Sequence, residues 1–499
     1  MKPTKTSFIF IASFIYLATS YLPVMAQMNN NDIIFELAEV RLSLKDISRI
    51  ALENNLDIQI AKYDASIKRT DLSQAQSLFD TIFTAGMSYL DDQTKNSSTL
   101  LGTKATTNDY TVGISKKIPS GTTLGLDVGD KRYFTNSSFA AINPSHEAAV
   151  KFSLHQPLGQ NFLGLIDRGN IKVTKIEVEN YDSQALGRIE QTLAQAQKAY
   201  WQVVLRNKEL LIANEMFKKA QVLYDVFKKK NTLGLVEDAE LFAAEANVAK
   251  RQADVLLIRH QLVLAKNELL FSLHEEDLNL KIIPSDVFEA DARFFIKEHS
   301  LQQAIAGRRD YKQAKNDVEA KRISLSMKKN NLWPQIDFEA SFLHNGLEIS
   351  QNKAWENVTQ EDNPELYAGV TMNIPFENTA ARSAHKRARL EKAKALLGLR
   401  KIEHKILIDI SNEIDSLNNK IQKIKLNNHI VELQTRKLEF EENRFSLGRS
   451  NSDTLVRYQE DLLQAKLALA QTVFEYKQAL IDLKLAENSL LDEYWQGRL

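Results

Sequence analysis

Residues 231–250 read NTLGLVEDAELFAAEANVAK, and residues 443–466 read NRFSLGRSNSDTLVRYQEDLLQAK. Each sets a Leu-Gly pair, Leu233-Gly234 and Leu447-Gly448, between two long runs of helical periodicity. A glycine there accepts the positive φ that ends one helix and admits its antiparallel mate. The two turns lie 214 residues apart, and the sequence ahead of them repeats at the same offset. Leu193, Ala196, Tyr200, Val203, Leu210, Phe217 and Tyr224 fall in phase with Leu407, Ile410, Ile414, Leu417, Ile424, Val431 and Leu438. A sustained 3.5-residue spacing belongs to helices that supercoil around neighbours. A helix over about 168–230 spans roughly 95 Å, far more than a compact domain holds. The chain is therefore internally duplicated, each copy ending in a very long helical hairpin.

Ahead of each hairpin the period changes to two. Phe83, Ala85, Met87 and Tyr89 alternate with Thr84, Gly86 and Ser88. Tyr110, Val112 and Ile114, then Leu124, Leu126 and Val128, then Val150, Phe152 and Leu154 repeat the pattern. In the second half Ile336, Phe338, Ala340 and Phe342, and Leu366, Ala368, Val370, Met372 and Ile374, do the same. Six strands of about ten residues, apolar on one side and polar on the other, suit a membrane-spanning barrel or a half-buried soluble sheet. A bilayer tolerates only closed sheets, and six strands do not close a wide barrel, so several chains must each donate a sector. Gly121, Gly125 and Gly129 read as small residues on the polar, lumen-facing side, with Thr123 and Asp127.

The ends and composition narrow the class. Lys2 and Lys5, the apolar run Phe8–Leu22 and the small-residue site Val24-Met25-Ala26 predict a signal peptide over 1–26, with the mature chain starting at Gln27. The run is short for a membrane anchor. No cysteine is present, which excludes disulfides, thiolate metal sites and a cysteine nucleophile. Lys plus Arg and Asp plus Glu both number 64, so no global field draws nucleic acid. The nine histidines show no paired-ligand spacing, and no phosphate loop or nucleophile elbow occurs. The sequence thus predicts no enzyme, no cofactor and no metal. The expected order is an N-terminal segment 27–42, a first repeat 43–274 (strands about 82–156, tip 231–238) and an irregular linker 275–298. A second repeat 299–490 (strands about 335–376, tip 445–453) and a tail 491–499 follow. Residues 43–77 read as one helix from an N-cap at Ser43, and 345–364 as a polar loop.

Several stretches then carry a family resemblance: LSLKDISRIALENNLDIQIAKYDASIKRTDLSQAQ (42–76), FSLHQPLG (152–159), NNLWPQIDFEASF (330–342) and the two tips. The chain resembles the TolC-like outer-membrane efflux proteins over nearly all of 43–490. The resemblance implies a mainly helical fold with membrane β structure. In it, a homotrimeric outer-membrane β-barrel continues into a long α-helical barrel across the periplasm. It implies a passive exit duct for an efflux pump or type I secretion system, working with a periplasmic adaptor (membrane fusion protein), an inner-membrane pump and outer-membrane lipid, without nucleic acid. The family's protomer gives two strands per repeat, and the first repeat here reads as four. The extra pair, 108–118 and 122–134, makes 18 strands in a trimer or an extension of the outer loop.

The resemblance also implies which residues act. Leu233, Gly234, Val236, Leu447, Gly448, Arg449 and Ser450 are the adaptor-docking tips. The family's gate uses an aromatic three before the second glycine, a basic residue two after it, and acids six and nine after it. These positions hold Phe445, Ser450 (beside Arg449), Thr454 and Arg457, with Asp453 the nearest carboxylate. An entrance mixing Asp453 with Arg457 is less cation-selective than a ring of acids. As plain helix residues both are ordinary solvated charges. Residues 382–405 carry nine Lys or Arg, read as a solvated helix face near lipid headgroups or as a nucleic-acid patch. A cell-envelope structural coiled-coil protein without channel activity is the alternative function.

Overall fold

The computed structural model describes residues 40–95, 100, 102–277, 280, 282–290, 294–360, 364–447 and 449–495. The expected signal peptide, most of the N-terminal segment, Gly448 and the last residues of the tail lie outside them. The first repeat runs β1 (Val40–Leu42), α1 (Leu44–Asn54), α2 (Leu56–Gln76), β2 (Thr81–Asp92), β3 (Ala105–Lys117), β4 (Thr123–Thr135), β5 (Ser145–Pro157), α3 (Leu165–Thr232) and α4 (Asp238–Leu273). After β6 (Ile282–Pro284), the second runs α5 (Lys297–Gly307), α6 (Arg309–Asn330), β7 (Gln335–Glu348), α7 (Gln351–Gln360), β8 (Pro364–Asn373), α8 (Thr379–Ser446), α9 (Ser452–Glu487) and α10 (Leu490–Tyr494).

Local chemistry explains the places where the elements depart from the periodicity. Ser43 does start a helix, with a capping box in which Asp46 N donates to Ser43 Oγ (3.2 Å) and Ser43 N to Asp46 Oδ2 (3.0 Å). The expected single helix 43–77 is two, because Asn55 is extended and its side chain caps a new start, accepting from Asp57 N (2.9 Å) and Ile58 N (3.2 Å). Arg308 breaks α5 from α6 with the same backbone conformation. The linker contributes β6, which pairs in parallel with β1. Within the expected loop 345–364, Ala354 and Val358, one turn apart, bury α7 against β5 and β7. The tail begins as α10, with Leu490 and Leu491 buried. Gly121 lies in the turn before β4, at φ +82°, rather than in the strand.

The six long strands form one antiparallel sheet in the order β2-β3-β4-β5-β7-β8. Its register sorts the two faces. One cross-strand row is Phe83, Ile114, Leu126, Phe152, Phe342 and Leu366, apolar on every strand and solvent-exposed throughout. The next row outward is Ala85, Val112, Val128 and Val150, then His344. The opposite face pairs Gly113 with Asp127 and Asp127 with Lys151, and beyond them Asp109, Lys131 and Glu147 stand side by side. An exposed apolar band backed by alternating charges is the pattern of a lipid-facing wall with a wet interior. At the outer end α7 covers Ala148 and Val150 on the apolar face, which sets the upper limit of that band.

The helices pack along shared stripes. In α3, Ile189, Leu193, Ala196, Tyr200 and Val203 are buried, as are Ile410, Ile414, Leu417, Ile421 and Ile424 in α8. Leu407, which the periodicity puts on that stripe, is exposed. The repeats are tied at mid-length by Glu190, which has no solvent exposure. Its carboxylate accepts from Arg309, from Asn488 Nδ2 (2.7 Å) and from the backbone N–H groups of Leu490 (3.0 Å) and Leu491 (3.3 Å). One side chain of α3 thus holds α6, the end of α9 and α10. Four donors satisfy a buried carboxylate that would otherwise be strongly destabilising.

Candidate functional site: the helical tips and the open edges

The first tip is built by α3 and α4. Lys229 and Lys230 occupy the last turn of α3, where cations complement the helix dipole. Gly234 turns the chain at φ +68°. Asn231 Nδ2 donates to Val236 O (3.2 Å) and Asp238 Oδ1 (2.9 Å), fixing the loop. Leu233 and Leu235 point into solvent, and Val236 packs partly into the core. At the second tip Leu447 is likewise exposed, and Arg449 N donates to Arg444 O (2.9 Å). Ser450 Oγ donates to the buried Glu441, which also pairs with Arg444 (3.3 Å). The docking residues expected from the sequence thus sit together at one end of the molecule, Gly448 excepted as outside the described residues.

The tips touch each other through an aromatic joint. The rings of Phe227 and Phe445 are 5.4 Å apart, and Lys230 Nζ lies 4.6 Å from the Phe445 ring centroid. Thr454 N is capped by Asn451 (3.0 Å). Asp453 and Arg457 are exposed, one turn apart on α9, with Arg457 against the Tyr458 ring. Neither forms an ion pair among those described.

The charges that join the hairpins lie higher and were not singled out from the sequence. Lys250 (2.9 Å) and Arg251 (2.8 Å) of α4 both reach Glu460 of α9. Lys219 of α3 reaches Glu442 of α8 (3.1 Å), and Lys466 of α9 reaches Glu215 of α3 (2.7 Å). Burial disfavours the Glu460 charge, but hydrogen bonds from Gln464, Lys250 and Arg251 outweigh it and hold the carboxyl down at about 2. Arg251 is almost fully buried. Its signal in the sequence is position: it continues the buried series Ala244, Asn247, Arg251, Val255 and Leu262, where an apolar residue is expected.

Packing gives the order of helices around this end: α3 contacts α4 and α9, and α9 contacts α8. The outer helices α4 and α8 therefore each keep an open side. On α4 that side exposes Phe242, Leu256 and Val263, and on α8 Leu426, Ile430, Leu433 and Phe440. Higher up, α3 and α6 lie between α2 and α8, and α2 exposes Leu56, Ile60, Tyr63 and Ile67. In the sheet the unpaired edges are β2 and β8. Among the described residues no group of ligands fits a metal, and no helix is long and apolar enough to cross a membrane.

Residues 300–489, most of the second repeat, match the outer membrane efflux protein family. Over that stretch, less than half of the chain, the sequence is similar to that family. The family's proteins are described as efflux proteins of the outer membrane. The fold matches solved channels at low identity. The Campylobacter jejuni CmeC outer membrane channel superposes with TM-score 0.66 at 14% identity, over 89% of this chain and 85% of that one. The Vibrio cholerae outer membrane protein VceC gives 0.66 at 13%, over 89% and 95%. The open state of the Neisseria gonorrhoeae MtrE outer membrane channel gives 0.64 at 13%, over 90% and 89%. No curated protein matches the sequence.

Proposed function

We propose that three copies of this chain close into one passive duct, a membrane β-barrel continued by a helical tunnel, gated at its periplasmic tips. The observation that carries this reading is the agreement of the open edges. In the sheet, the upper helices and the lower helices alike, one side of the protomer is β2, α2 and α4, and the other is β8 and α8. A sector open on the same two sides along its whole length is completed by copies of itself. Edge β8 then runs antiparallel to β2 of the next copy, and the exposed seam of α8 meets that of α4. The unpaired strand edges and apolar seams are costly in isolation and are satisfied together by ring closure.

In this reading the exposed Leu233, Leu235 and Leu447, with Arg449 and Ser450, meet a periplasmic adaptor that links the duct to an inner-membrane pump. The gate comprises Phe445, Asp453, Thr454 and Arg457 beside the lumen, held by the inter-hairpin pairs of Glu460, Glu442 and Glu215. Opening is a rigid movement of the second hairpin against the first once those pairs are released. The test is single-channel conductance of detergent-purified protein, with its mass measured in parallel. Trimers giving small steps that grow in Asp453→Ala and Arg457→Ala support duct and gate. Monomers without steps favour a cell-envelope scaffold, and unchanged steps in both variants remove these two residues from the gate.

A further inference from the structure

The basic stretch 382–405 of α8 divides between two flanks of its helix. At ~100° per residue, Arg387, Lys394, Lys401 and Lys405 lie ~100–140° to one side of the buried Ile406, and Ser411 lies ~140° to the other. Arg382, Arg389 and Arg400 share the side of Ser411. Helix α5 covers that side lower down: Lys297 Nζ donates to Ser411 Oγ (2.8 Å), and Ala304 packs with Ile406 and Ile410. The first side is open, and along it a groove of about 790 Å³ runs between α6 and α8. The carboxylates of the groove are engaged. Glu391 accepts from Arg387 (3.1 Å) and Lys321 (3.3 Å), Asp310 pairs with Arg308 (2.7 Å), and Asp317 accepts from Asn180 (2.8 Å). Lys394, Lys401 and Lys405 make no hydrogen bond or ion pair among those described, so the groove keeps a surplus of positive charge. Arg387, Lys394 and Lys401 are seven apart, the period that holds one line along a supercoiled helix. Lower down, the same side turns to Asp409, Glu413 and Asp482, met by Arg308 and Lys198, so the surplus is confined to the upper stretch.

In the ring proposed above, the open side of α8 faces the lumen. Four helices from each of three copies, ~8–10 Å apart, enclose a centre line ~31–38 Å across and a bore of ~20–28 Å. Three copies of α5, each ~10 Å thick, would block that bore, so α5 and its flank face outward and the groove faces inward. Each copy then adds Lys394, Lys401 and Lys405 to one level of the tunnel. The axis lies ~10–14 Å from this wall, close to the screening length of ~8–10 Å at physiological salt, so the field reaches a passing solute. Rings of Lys or Arg are how pores favour anions. We infer that Lys394, Lys401 and Lys405 form an anion-attracting collar in the upper tunnel, and that the cargo it favours carries net negative charge, as carboxylate or phosphate groups do. The inference rests on the ring reading and adds a charge class for the cargo, which that reading leaves open.

The chain has no native cysteine, so single thiols can report on each flank. Gly398 lines the groove, and a Cβ there meets nothing within 4 Å, so Gly398→Cys fits; Leu396→Cys marks the α5 flank. The experiment compares, for the full chain in lipid nanodiscs, the rates at which a sulfonate-bearing and a quaternary-ammonium methanethiosulfonate modify each thiol. The ratio of the two rates, taken relative to a free thiol, cancels any change in thiolate fraction. At ~0.01 M salt, where the screening length is ~30 Å, the sulfonate should gain on the order of 10-fold at Gly398→Cys. The gain should vanish at ~1 M salt and reverse when Lys394→Glu, Lys401→Glu and Lys405→Glu are combined; all three side chains are exposed, so the fold tolerates the change. No gain, or a gain that the three substitutions leave intact, overturns the inference. A maleimide carried on a polymer wider than the bore checks the ring separately, and should label Leu396→Cys while sparing Gly398→Cys. Equal labelling of the two would break the ring reading and the inference with it. A spared Gly398→Cys without the sulfonate gain would break the inference alone.

Discussion

The two repeats are nearly identical in their helices and unlike in their sheets. The helices before the strands have 11 and 21 residues in the first repeat and 11 and 22 in the second, and the hairpins have 68 and 36 in both. The offset between repeats is 253 residues from α1 to α5 and 214 from α3 to α8, so the first repeat carries a net 39 residues more, all between these points. That is where β3 and β4 lie. Helices that share one tunnel must end at the same level, and a length change in one would leave its tip unpaired. A sheet can gain a hairpin because two added strands restore the direction of the next one.

The comparison can be broken first at Glu190. The matching position of the second repeat, 214 residues on, is the exposed His404. Glu190→Ala strands Arg309 and three further donors and should destabilise the protein by ~3–5 kcal/mol, against ~0.5 kcal/mol or less for His404→Ala, read from detergent-phase thermal unfolding. Similar losses would show that the mid-length joint is as symmetric as the helix lengths. Next comes the aromatic joint: Phe227→Ala removes a fully buried ring at ~3–4 kcal/mol, and the half-buried Phe445 should cost less by the same assay. An equal cost would place Phe445 deeper than its exposure indicates.

A third comparison sets the two groups of tip charges against each other. Arg251→Ala leaves Glu460 with Lys250 and Gln464, and the loss of a charge-assisted bond, ~1.5–3 kcal/mol, should raise closed-state conductance more than Arg457→Ala does. The reverse order would move the latch from the α4–α9 contact to the exposed face of α9. The same contact predicts a pH response. Glu460 has its folded value, about 2, below the ordinary glutamate range, so its bond contributes stability at and above that range and is lost only as pH falls toward about 2. Closed-state conductance should therefore stay flat from neutral pH down to roughly 4.5. A rise near pH 6 would assign the latch to another group. The smallest effect is at the turn: Gly234→Ala forces a Cβ into a left-handed backbone at ~1–2 kcal/mol, seen as a loss of helix near the tip by hydrogen exchange. No change there would mean the turn relaxes freely.

Much of this was legible in the chain because it depends on period. The 3.5-residue stripes fixed two hairpins to within a few residues of their observed ends, and the alternation fixed all six strands. The breaks at Asn55 and Arg308 were not, because a side-chain cap or one extended residue leaves the apolar spacing almost unchanged. Helix α7 escaped for a related reason: Ala354, Trp355 and Val358 are only three apolar residues in ten, and they become informative once Ala148 and Val150 lie opposite them. Of the candidate site, the tips were readable from Leu-Gly and its flanking helices. The links across the hairpins were not, since Lys250, Arg251 and Glu460 are 209 residues or more apart and look like ordinary helix charges.

The sequence by itself determined the duplication, the lengths of the elements and which face of each is apolar, because these follow from side-chain periodicity along one chain. Only the tertiary structure decided that β3 and β4 join the wall, that α4 and α8 are the open sides, and that Glu190, Arg251 and Glu460 are bound charges. Those properties depend on which neighbour excludes water from a given atom, and no spacing within a single helix or strand encodes that.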